Sequence, residues 1–449
     1  MDCFVASLLA MTVQVRLVCN KKSTKEMIYY QTGSENTVIG PDELKSGLEE
    51  ALRNIGPKKK VLVIPPDFTR FHSRAGDITS LLYKYYNENL RDILPALGTH
   101  APMTDEQLEE MFPGVPKELF RIHDWRKDVV TVGTVPGEYI SEITGGALDY
   151  SWPAQLNKLV INGGHDLILS VGQVVPHEVI GMANYNKNLF VGTGGSEGIN
   201  KSHFAGAVHG IEKILGKADN PVRRMLNYAS EHFITHLPVV YIHTVIGRDS
   251  SGKLVIRGLY IGDDPEVFTL AAALSLKVNF SVFEKPLDKV VVYLDPSEFK
   301  STWLGNKSIY RTRMAMADNG ELIVLAPGLK EFGEDKEIDR LIRKYGYRGT
   351  PATLESLNLN EELKQNLSAA AHLIHGSTEG RFSVTYCPGS LTREQIESVN
   401  FRYGDLNEAL KIYNPGKLKD GFNTLPDGEE FFYISNPATG LWSSRERLI

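Results

Sequence analysis

Cysteine is scarce in this sequence, with three residues in a chain of 449. Cys3, Cys19 and Cys387 have no metal-like spacing and do not suggest a disulfide framework, so a reducing, cytoplasmic location is expected. Long basic runs are absent and the net charge is −6, which argues against a nucleic-acid partner. No apolar stretch is long enough to cross a bilayer, and no membrane partner is expected.

The N-terminal segment lacks the features of a signal peptide. It begins with Asp2 instead of a basic region, and it has no clear small-residue cleavage site. We therefore interpret residues 1–26 as an N-terminal extension, with Met27 as the functional start. A genuine first β-strand in this segment is the alternative.

The length suffices for two or three domains, and 42% hydrophobic and 23% charged residues are typical of a globular protein. In the first part, apolar runs alternate with helical patterns. A helix beginning at Pro41 precedes the apolar run 60–65, which predicts a buried parallel strand. A helix over about 76–89, a strand over 92–98 and a helix capped by Thr104 follow.

The alternation continues through the later parts of the chain. Residues 128–172 predict more strand, residues 223–233 a helix, and residues 239–261 a β-hairpin. A second βα alternation predicts strands at 289–294 and 321–326 and helices at 307–317 and 334–345. The pattern predicts an α/β protein of two lobes with mostly parallel sheets and an active site in the cleft between them. We expect an N-terminal catalytic and cofactor-binding domain over residues 27–280 and a C-terminal α/β domain over residues 281–449.

The most distinctive stretch runs from Val174 to Phe204. It places His177, Lys187 and His203 at separations of 10 and 16 residues, after a hydrophobic run. Imidazoles can act as bases near neutral pH or bind a metal, and a lysine can form a covalent link. A surface lysine in a loop is the alternative for Lys187. The glycine-rich segment 192–198 could bind a phosphate or form a flexible turn, but it matches no nucleotide-binding motif.

Other candidates lie after the predicted strands. His100 follows an apolar run and precedes turn residues, as His177 and His203 do, and His72 is a candidate secondary site residue. Weaker contexts surround His123, His165, His209, His372 and His375. Arg70 could bind a substrate carboxylate, with an ion pair to Asp67 or Asp77 as the alternative. From these residues alone we infer a two-lobed α/β enzyme with a His/Lys/Arg site, and no particular reaction.

Four segments together resemble the nickel-pincer lactate racemase family. Asp67-Phe-Thr-Arg70 is similar to that family's Asp-x-Thr-Arg motif, and residues 98–104 are similar to its Gly-Thr-His-x-Pro-Met segment. The third segment is Pro176-His177 with Lys187 and His203 at their spacing, and the fourth is Lys307. The resemblance covers roughly residues 27–330 and, more loosely, the rest of the chain.

The resemblance implies an isomerase, a 2-hydroxy acid racemase or epimerase. Its cofactor is pyridinium-3-thioamide-5-thiocarboxylic acid mononucleotide with nickel, covalently attached to a lysine that matches Lys187, while His203 matches the metal ligand. His100 and His177 match the catalytic bases, which move the hydroxyl proton while the C2 hydride leaves and returns on the other face. Substrate binding falls to Arg70 and Lys307, and Asp67 and Thr69 contact the cofactor or orient Arg70.

The resemblance also implies the partners: a small 2-hydroxy acid and, transiently, the proteins that synthesise the cofactor. Without those proteins we expect the apo form.

The chain departs from the lactate enzymes at three places. Asn184-Tyr185-Asn186 replaces a small Gly/Ser-rich run, Leu304 replaces a glutamine, and Phe71-His72 replaces a proline. The added polar groups favour a polyhydroxylated, gluconate-like acid over lactate, inverted at C2. The alternatives are a sugar-acid dehydratase on the same scaffold without the pincer cofactor, and a non-catalytic sugar-acid binding protein.

Overall fold

The structure, a computed structural model, describes residues 27–447, so the predictions for residues 1–26 lie outside the described residues. The strands are β1 (Ile28–Gly33), β2 (Val61–Ile64), β3 (Leu90–Ile93), β4 (Val129–Val135), β5 (Trp152–Asn157), β6 (Leu167–Gln173), β7 (Pro176–His177), β8 (Gly181–Met182), β9 (Val239–Arg248), β10 (Leu254–Gly262), β11 (Phe280–Phe283), β12 (Leu287–Tyr293), β13 (Met316–Ala326), β14 (Ser383–Pro388), β15 (Arg402–Tyr403), β16 (Gly421–Thr424), β17 (Glu430–Ile434) and β18 (Leu441–Ser444).

The α-helices are α1 (Pro41–Ile55), α2 (Ala75–Tyr86), α3 (Asp105–Met111), α4 (Gly137–Thr144), α5 (Lys158–Asn162), α6 (Ser196–His209), α7 (Ile211–Ile214), α8 (Pro221–Phe233), α9 (Glu266–Asn279), α10 (Thr302–Gly305), α11 (Lys307–Tyr310), α12 (Lys336–Tyr345), α13 (Thr350–Leu359), α14 (Glu361–Lys364), α15 (Leu367–His375), α16 (Arg393–Ser398) and α17 (Leu406–Ile412). None of the helices in residues 27–447 is long and apolar enough to cross a membrane.

The first lobe is built on a six-stranded sheet in the order β1-β10-β9-β6-β2-β3, parallel from β9 to β3 and antiparallel at the β1 edge. All four residues of β2 are buried, and alternate residues face opposite sides of the sheet. Val61 and Val63 pack with α1 and α2, whereas Leu62 and Ile64 pack into the core that contains α8 and α9. Helices therefore cover both faces, as the apolar run 60–65 predicted.

The second lobe is a similar layered unit. Its six-stranded sheet has the order β15-β14-β13-β12-β17-β16 and is parallel except at β16. Val290 and Val292 of β12 face one core, and Val291 faces the other. The predicted α/β class with two lobes and mostly parallel sheets is confirmed. The boundary at residue 280 stays a prediction, because the two large sheets leave residues 263–286 to neither.

The lobes meet along α6 and α15. Phe204 of α6 packs into the core of the second lobe, and Ser368 Oγ on α15 donates a hydrogen bond of 2.6 Å to Asn200 Oδ1 on α6. Arg313 Nε in the second lobe also pairs with Glu212 Oε1 of α7 at 3.1 Å. These contacts fix the two helices that border the cleft.

Three secondary-structure predictions were wrong in whole or in part. The strand predicted over 92–98 lies at Leu90–Ile93, and residues 94–98 form the loop that leads to His100. Residues 128–172 contain α4 and α5 as well as strands, because α4 packs against α8, with the Tyr139 and Tyr228 rings 4.7 Å apart. This tertiary contact overrides the strand propensity of its Tyr, Ile and Thr residues. The helix predicted over 307–317 ends at Tyr310, because Met316 already pairs with Leu287 in the second sheet.

Candidate active site

All eight residues predicted for the site line one cavity of about 160 Å³ between the lobes. They come from loops that follow β2, β3 and β6, from α6, and from the start of α11; they are Asp67, Thr69, Arg70, His100, His177, Lys187, His203 and Lys307. Neighbouring parallel strands end at the same edge of a sheet, which is where α/β proteins bind ligands. Their individual roles stay predictions.

Asp67 and His100 form a hydrogen-bonded pair at this edge. His100 Nδ1 lies 2.5 Å from Asp67 Oδ2, and the Thr69 hydroxyl donates to the other carboxylate oxygen at 2.5 Å. Burial alone would raise the pKa of Asp67, but the charge and hydrogen bond of His100, with smaller effects of Thr69 and Arg70, lower it below its ordinary value. The carboxylate therefore holds Nδ1–H of His100 and leaves Nε2 as the acceptor.

Arg70 does not form the ion pairs considered as its alternative role. Asp77 pairs with Arg74 at 2.6 Å, and Asp67 is bonded to His100. Within residues 27–447, no carboxylate lies within ion-pair distance of Arg70. Its guanidinium can therefore bind an anionic ligand in the cavity.

His177 has a different environment from His100. Its Nδ1 accepts a hydrogen bond of 3.1 Å from the backbone N–H of Val179, and the Glu178 Oε2 atom lies 3.7 Å from the same nitrogen. Burial lowers the pKa of His177 well below its usual value, and Lys187 and Arg70 add to this, while Glu178 opposes it. The neutral imidazole thus carries its proton on Nε2.

Lys187 lies in the cavity and not on the outer surface. It directly precedes a π-helix, Asn188–Gly192, a feature frequently found at functional sites. Burial, with a smaller effect of Arg70, lowers the pKa of Lys187 to about 8, although Glu178 and Asp67 oppose the shift. About a tenth of the amine is then neutral at pH 7, which makes it a competent nucleophile.

The loop before Lys187 has an unusual backbone. Asn184 and Tyr185 have φ values of 66° and 60°, in the left-handed region that side chains other than Gly, Asn and Asp rarely adopt. Packing holds Tyr185 in place: its ring stacks on Phe268 at 5.0 Å and lies 4.5 Å from Tyr241. These aromatic contacts hold Tyr185 in a conformation that its side chain rarely adopts.

Arg223 of α8 is buried beneath the loop 182–186 and hydrogen-bonds to it. Its guanidinium donates to Met182 O at 2.6 Å, to Asn184 O at 3.4 Å and to the Asn186 side-chain oxygen. Burial lowers the pKa of Arg223 to about 9. Of the three polar residues 184–186, Asn184 lines the cavity. Tyr185 instead stacks on Phe268, and Asn186 accepts the hydrogen bond from Arg223.

His203 has the hydrogen bonding of a metal-binding histidine. Its Nδ1–H donates to the Ile199 carbonyl oxygen at 2.8 Å, which leaves Nε2 as the nitrogen with a lone pair. Burial lowers the pKa of His203 to about 4, so the ring is neutral at pH 7. Within residues 27–447, no three His, Cys, Asp or Glu side chains are grouped to hold a metal by themselves.

The second lobe contributes more than sequence reasoning found. Lys307 is buried, and burial, followed by the charge of Arg70, lowers its pKa. Glu178 of the first lobe also lines the cavity, and the second lobe adds Trp303, Tyr310, His372 and His375. The i, i+3 spacing of His372 and His375 on one helix face was the feature of the sequence that could have identified them. His372 Nε2 is bonded to the Tyr347 hydroxyl at 2.9 Å, whereas His375 Nε2 is buried without a partner.

Several other candidates have structural roles. His123 Nε2 donates to Gly194 O at 3.0 Å, and His165 pairs with Asp92 at 2.8 Å. His72 is not among the residues that line the cavity, although its buried Nε2 has no partner. The glycine-rich segment is tightly packed, because a Cβ at Gly194 would lie 1.9 Å from Phe190 O.

The cavity has more positive than negative groups. Arg70, Lys187 and Lys307 line it, and the carboxylates in the lining are Asp67 and Glu178. The fully buried Arg311 adjoins Glu178 and adds a further positive charge. This excess favours an anionic ligand.

The family model for the lactate racemase N-terminal domain matches residues 44–214. A crystal structure of a Thermotoga maritima protein is 26% identical with a TM-score of 0.76, and the alignment covers 90% of this chain and 98% of that one. The lactate racemase apoprotein from Thermoanaerobacterium thermosaccharolyticum is 19% identical with a TM-score of 0.67, over 93% of this chain and 94% of its own. Among curated proteins, no sequence matches. This chain therefore contains a segment that matches the lactate racemase N-terminal domain, and the whole chain shares the fold of these two structures.

Proposed function

We propose that this protein is a 2-hydroxy acid racemase or epimerase that inverts C2 with a nickel-pincer nucleotide bound to Lys187. The observation that carries the proposal is the pair of imidazoles, His100 and His177, in one cavity with the cationic Arg70 and Lys307. Inversion at a carbon bearing a hydroxyl needs groups that can take and return a proton, and a carboxylate substrate needs cations to hold it.

The residues present fit the proposed cofactor. Lys187 offers an amine whose lowered pKa of about 8 suits formation of a thioamide link, and His203 offers a neutral imidazole for nickel. The protein itself groups no three metal ligands within residues 27–447, so a cofactor that brings its own sulfur and carbon donors suits the site. The excess of positive charge would balance the cofactor phosphate and the substrate carboxylate.

The cofactor, when bound, supplies hydride acceptance from C2 and its return. The protein performs the remaining work. His100 Nε2, with Nδ1–H held by Asp67, accepts the hydroxyl proton of one substrate enantiomer. His177 also lines the cavity and carries its proton on Nε2, from which it would donate to the substrate oxygen. Arg70 holds the carboxylate, and Lys307 stabilises negative charge that develops on the substrate oxygen.

For the substrate we propose a polyhydroxylated acid of the gluconate type. Asn184 supports this proposal, because it lines the cavity at a position where the lactate enzymes have small residues, and its Oδ1 is without a hydrogen-bond partner. A substrate hydroxyl would satisfy that acceptor, and a substrate without one would leave it unpaired at a cost of about 1–3 kcal/mol.

The test is C2 inversion by protein produced together with the cofactor-synthesis proteins and nickel. Gluconate and lactate are incubated separately, and NMR and chiral chromatography follow the C2 epimers. We expect turnover of gluconate in preference to lactate, and its loss in His100→Asn and His177→Asn but not in the control His232→Asn, whose ring stacks on Tyr228 outside the cavity. Turnover of lactate alone would refute the substrate class. Loss of water from the acid would instead indicate a dehydratase, and binding that is indifferent to both histidines a non-catalytic protein.

A further inference from the structure

Glu178 has a buried carboxylate oxygen that no hydrogen-bond donor contacts. Its side chain is 17% exposed, and Oε2 is buried without a hydrogen-bond partner. A buried carboxylate oxygen without a hydrogen-bond donor is destabilising, the more so because it is charged. Burial would raise the pKa of Glu178, but His177, Arg311 and Lys307 lower it well below its ordinary value, so the group is ionised.

The two imidazoles differ in how their Nδ1 atoms are used. Asp67 binds Nδ1 of His100 at 2.5 Å, which fixes the proton there and leaves Nε2 ready to accept. Nδ1 of His177 instead accepts the Val179 N–H, so its proton is on Nε2. In that tautomer His177 can donate a hydrogen bond but cannot accept a proton on Nε2.

A racemase that works in both directions needs His177 to accept as well as to donate. Acceptance on Nε2 requires the proton to be on Nδ1, and Nδ1–H then needs an acceptor in place of the Val179 N–H. The atom nearest to that role is Glu178 Oε2, 3.7 Å from Nδ1. A small rotation of either side chain would bring this distance into hydrogen-bond range.

We propose that Glu178 is the positioning residue of His177, forming a second histidine–carboxylate pair when the ring carries its proton on Nδ1. This inference rests on the proposed function. The hydroxyl O–H bond of the substrate breaks and an Nε2–H bond forms, while Glu178 stays ionised and faces the imidazolium. In the return direction the Nε2 proton goes back to the substrate oxygen, and Nδ1–H stays bonded to Oε2.

Glu178 also faces cationic groups, which gives the competing explanation. Around the His177–Glu178 pair lie the cations Lys187, Arg70, Lys307 and Arg311, and the neutral phenol of Tyr310, which is hydrogen-bonded to Glu178. A carboxylate that only neutralises these cations would weaken binding of an anionic substrate. Its removal would then lower KM and leave kcat unchanged.

The test compares Glu178→Gln and Glu178→Asp with the wild-type holoenzyme. Positioning of His177 predicts a fall in kcat of roughly 10²- to 10⁴-fold in the Gln variant, equal in both directions, with little change in KM. The Asp variant keeps the charge near the cations but shortens the reach to Nδ1, so it should lose part of kcat. A lower KM with unchanged kcat in Gln, and wild-type kinetics in Asp, would overturn the inference.

A second experiment, a titration of the apoprotein, needs neither cofactor nor substrate. In the apoprotein labelled with ¹⁵N-histidine, the His177 signals report the tautomer and its protonation as pH falls. Loss of the Glu178 charge should move protonation of His177 about 1–3 pH units lower, whereas the control Glu212→Gln, a carboxylate paired with Arg313, should not move it. An unchanged titration in Glu178→Gln would overturn the inference. An inactive wild-type holoenzyme with the expected titration would refute the proposed function and leave the pair intact.

Discussion

Arg223 should determine both the stability of the first lobe and the reactivity of Lys187. In Arg223→Met, two short charged hydrogen bonds are lost, to Met182 O at 2.6 Å and to the Asn186 side chain. Hydrogen bonds to charged groups contribute about 1.5–3 kcal/mol each, so the free energy of unfolding should fall by about 3–6 kcal/mol. The weaker contacts to Asn184 O at 3.4–3.5 Å add little.

The neighbouring arginine gives a matched control on the same helix. Arg224 pairs with Asp219 at 2.6 Å, but its side chain is 52% exposed, and surface ion pairs contribute about 0–1 kcal/mol. Urea unfolding followed by circular dichroism should therefore separate Arg223→Met from Arg224→Met by several kcal/mol. Equal losses in the two variants would refute the reasoning that the buried guanidinium holds the loop.

The effect on Lys187 is measurable in the folded variant. If the loop 182–186 relaxes, water reaches the Lys187 amine and its pKa rises from about 8 towards 10.5. The pH at which labelling of the Lys187 peptide by an amine reagent reaches half its maximal rate should then be higher than in wild type. An unchanged pH midpoint would mean that Arg223 stabilises the fold without positioning the lysine.

Three further predictions concern the cavity. Asp67→Asn should lower kcat by roughly 10²- to 10⁴-fold with little change in KM in the inversion assay, because Nδ1 of His100 loses its carboxylate; a change confined to KM would contradict this role. His203→Asn should keep the nucleotide adduct on Lys187 but lose nickel, as measured by peptide mass and metal analysis; full nickel retention would contradict its assignment as metal ligand. The folded pKa of Lys187 lies below its unfolded value, so its burial destabilises the protein below pH 8 and ceases to do so as pH rises towards 10.5. Lys187→Met should accordingly be more stable than wild type at pH 7, with a difference in chemical unfolding that shrinks by pH 10; a constant difference would contradict the pKa.

The sequence was most informative where parallel strands end. The motifs after β2 and β3 could be placed together, because strands that neighbour each other in a parallel sheet deliver their following loops to one edge. Asp67 and His100 meet there in the structure. The spacing of His177, Lys187 and His203 likewise located the rest of the first-lobe wall.

The second-lobe wall could not be predicted in the same way. His375 and Tyr310 reach the cavity because α6 packs against α15 and the lobes meet, which depends on contacts between residues far apart in the chain. The sequence also did not reveal the backbone conformation of this loop. The positive φ values of Asn184 and Tyr185 direct the Tyr185 ring into the core, where it stacks on Phe268. Its position in the sequence had suggested a contact with the substrate. The role of Glu178 could not be inferred from the sequence, because it depends on which nitrogen of the His177 ring carries the proton.

The most direct test of the account is the mass of the Lys187 peptide. The protein is produced with the cofactor-synthesis proteins and nickel, digested, and analysed beside the same protein made without those partners. The account predicts an adduct of nucleotide size on Lys187 in the first sample and an unmodified lysine in the second. An unmodified Lys187 in both, with the synthesis proteins shown to be active, would contradict the proposal that this cavity carries the pincer cofactor.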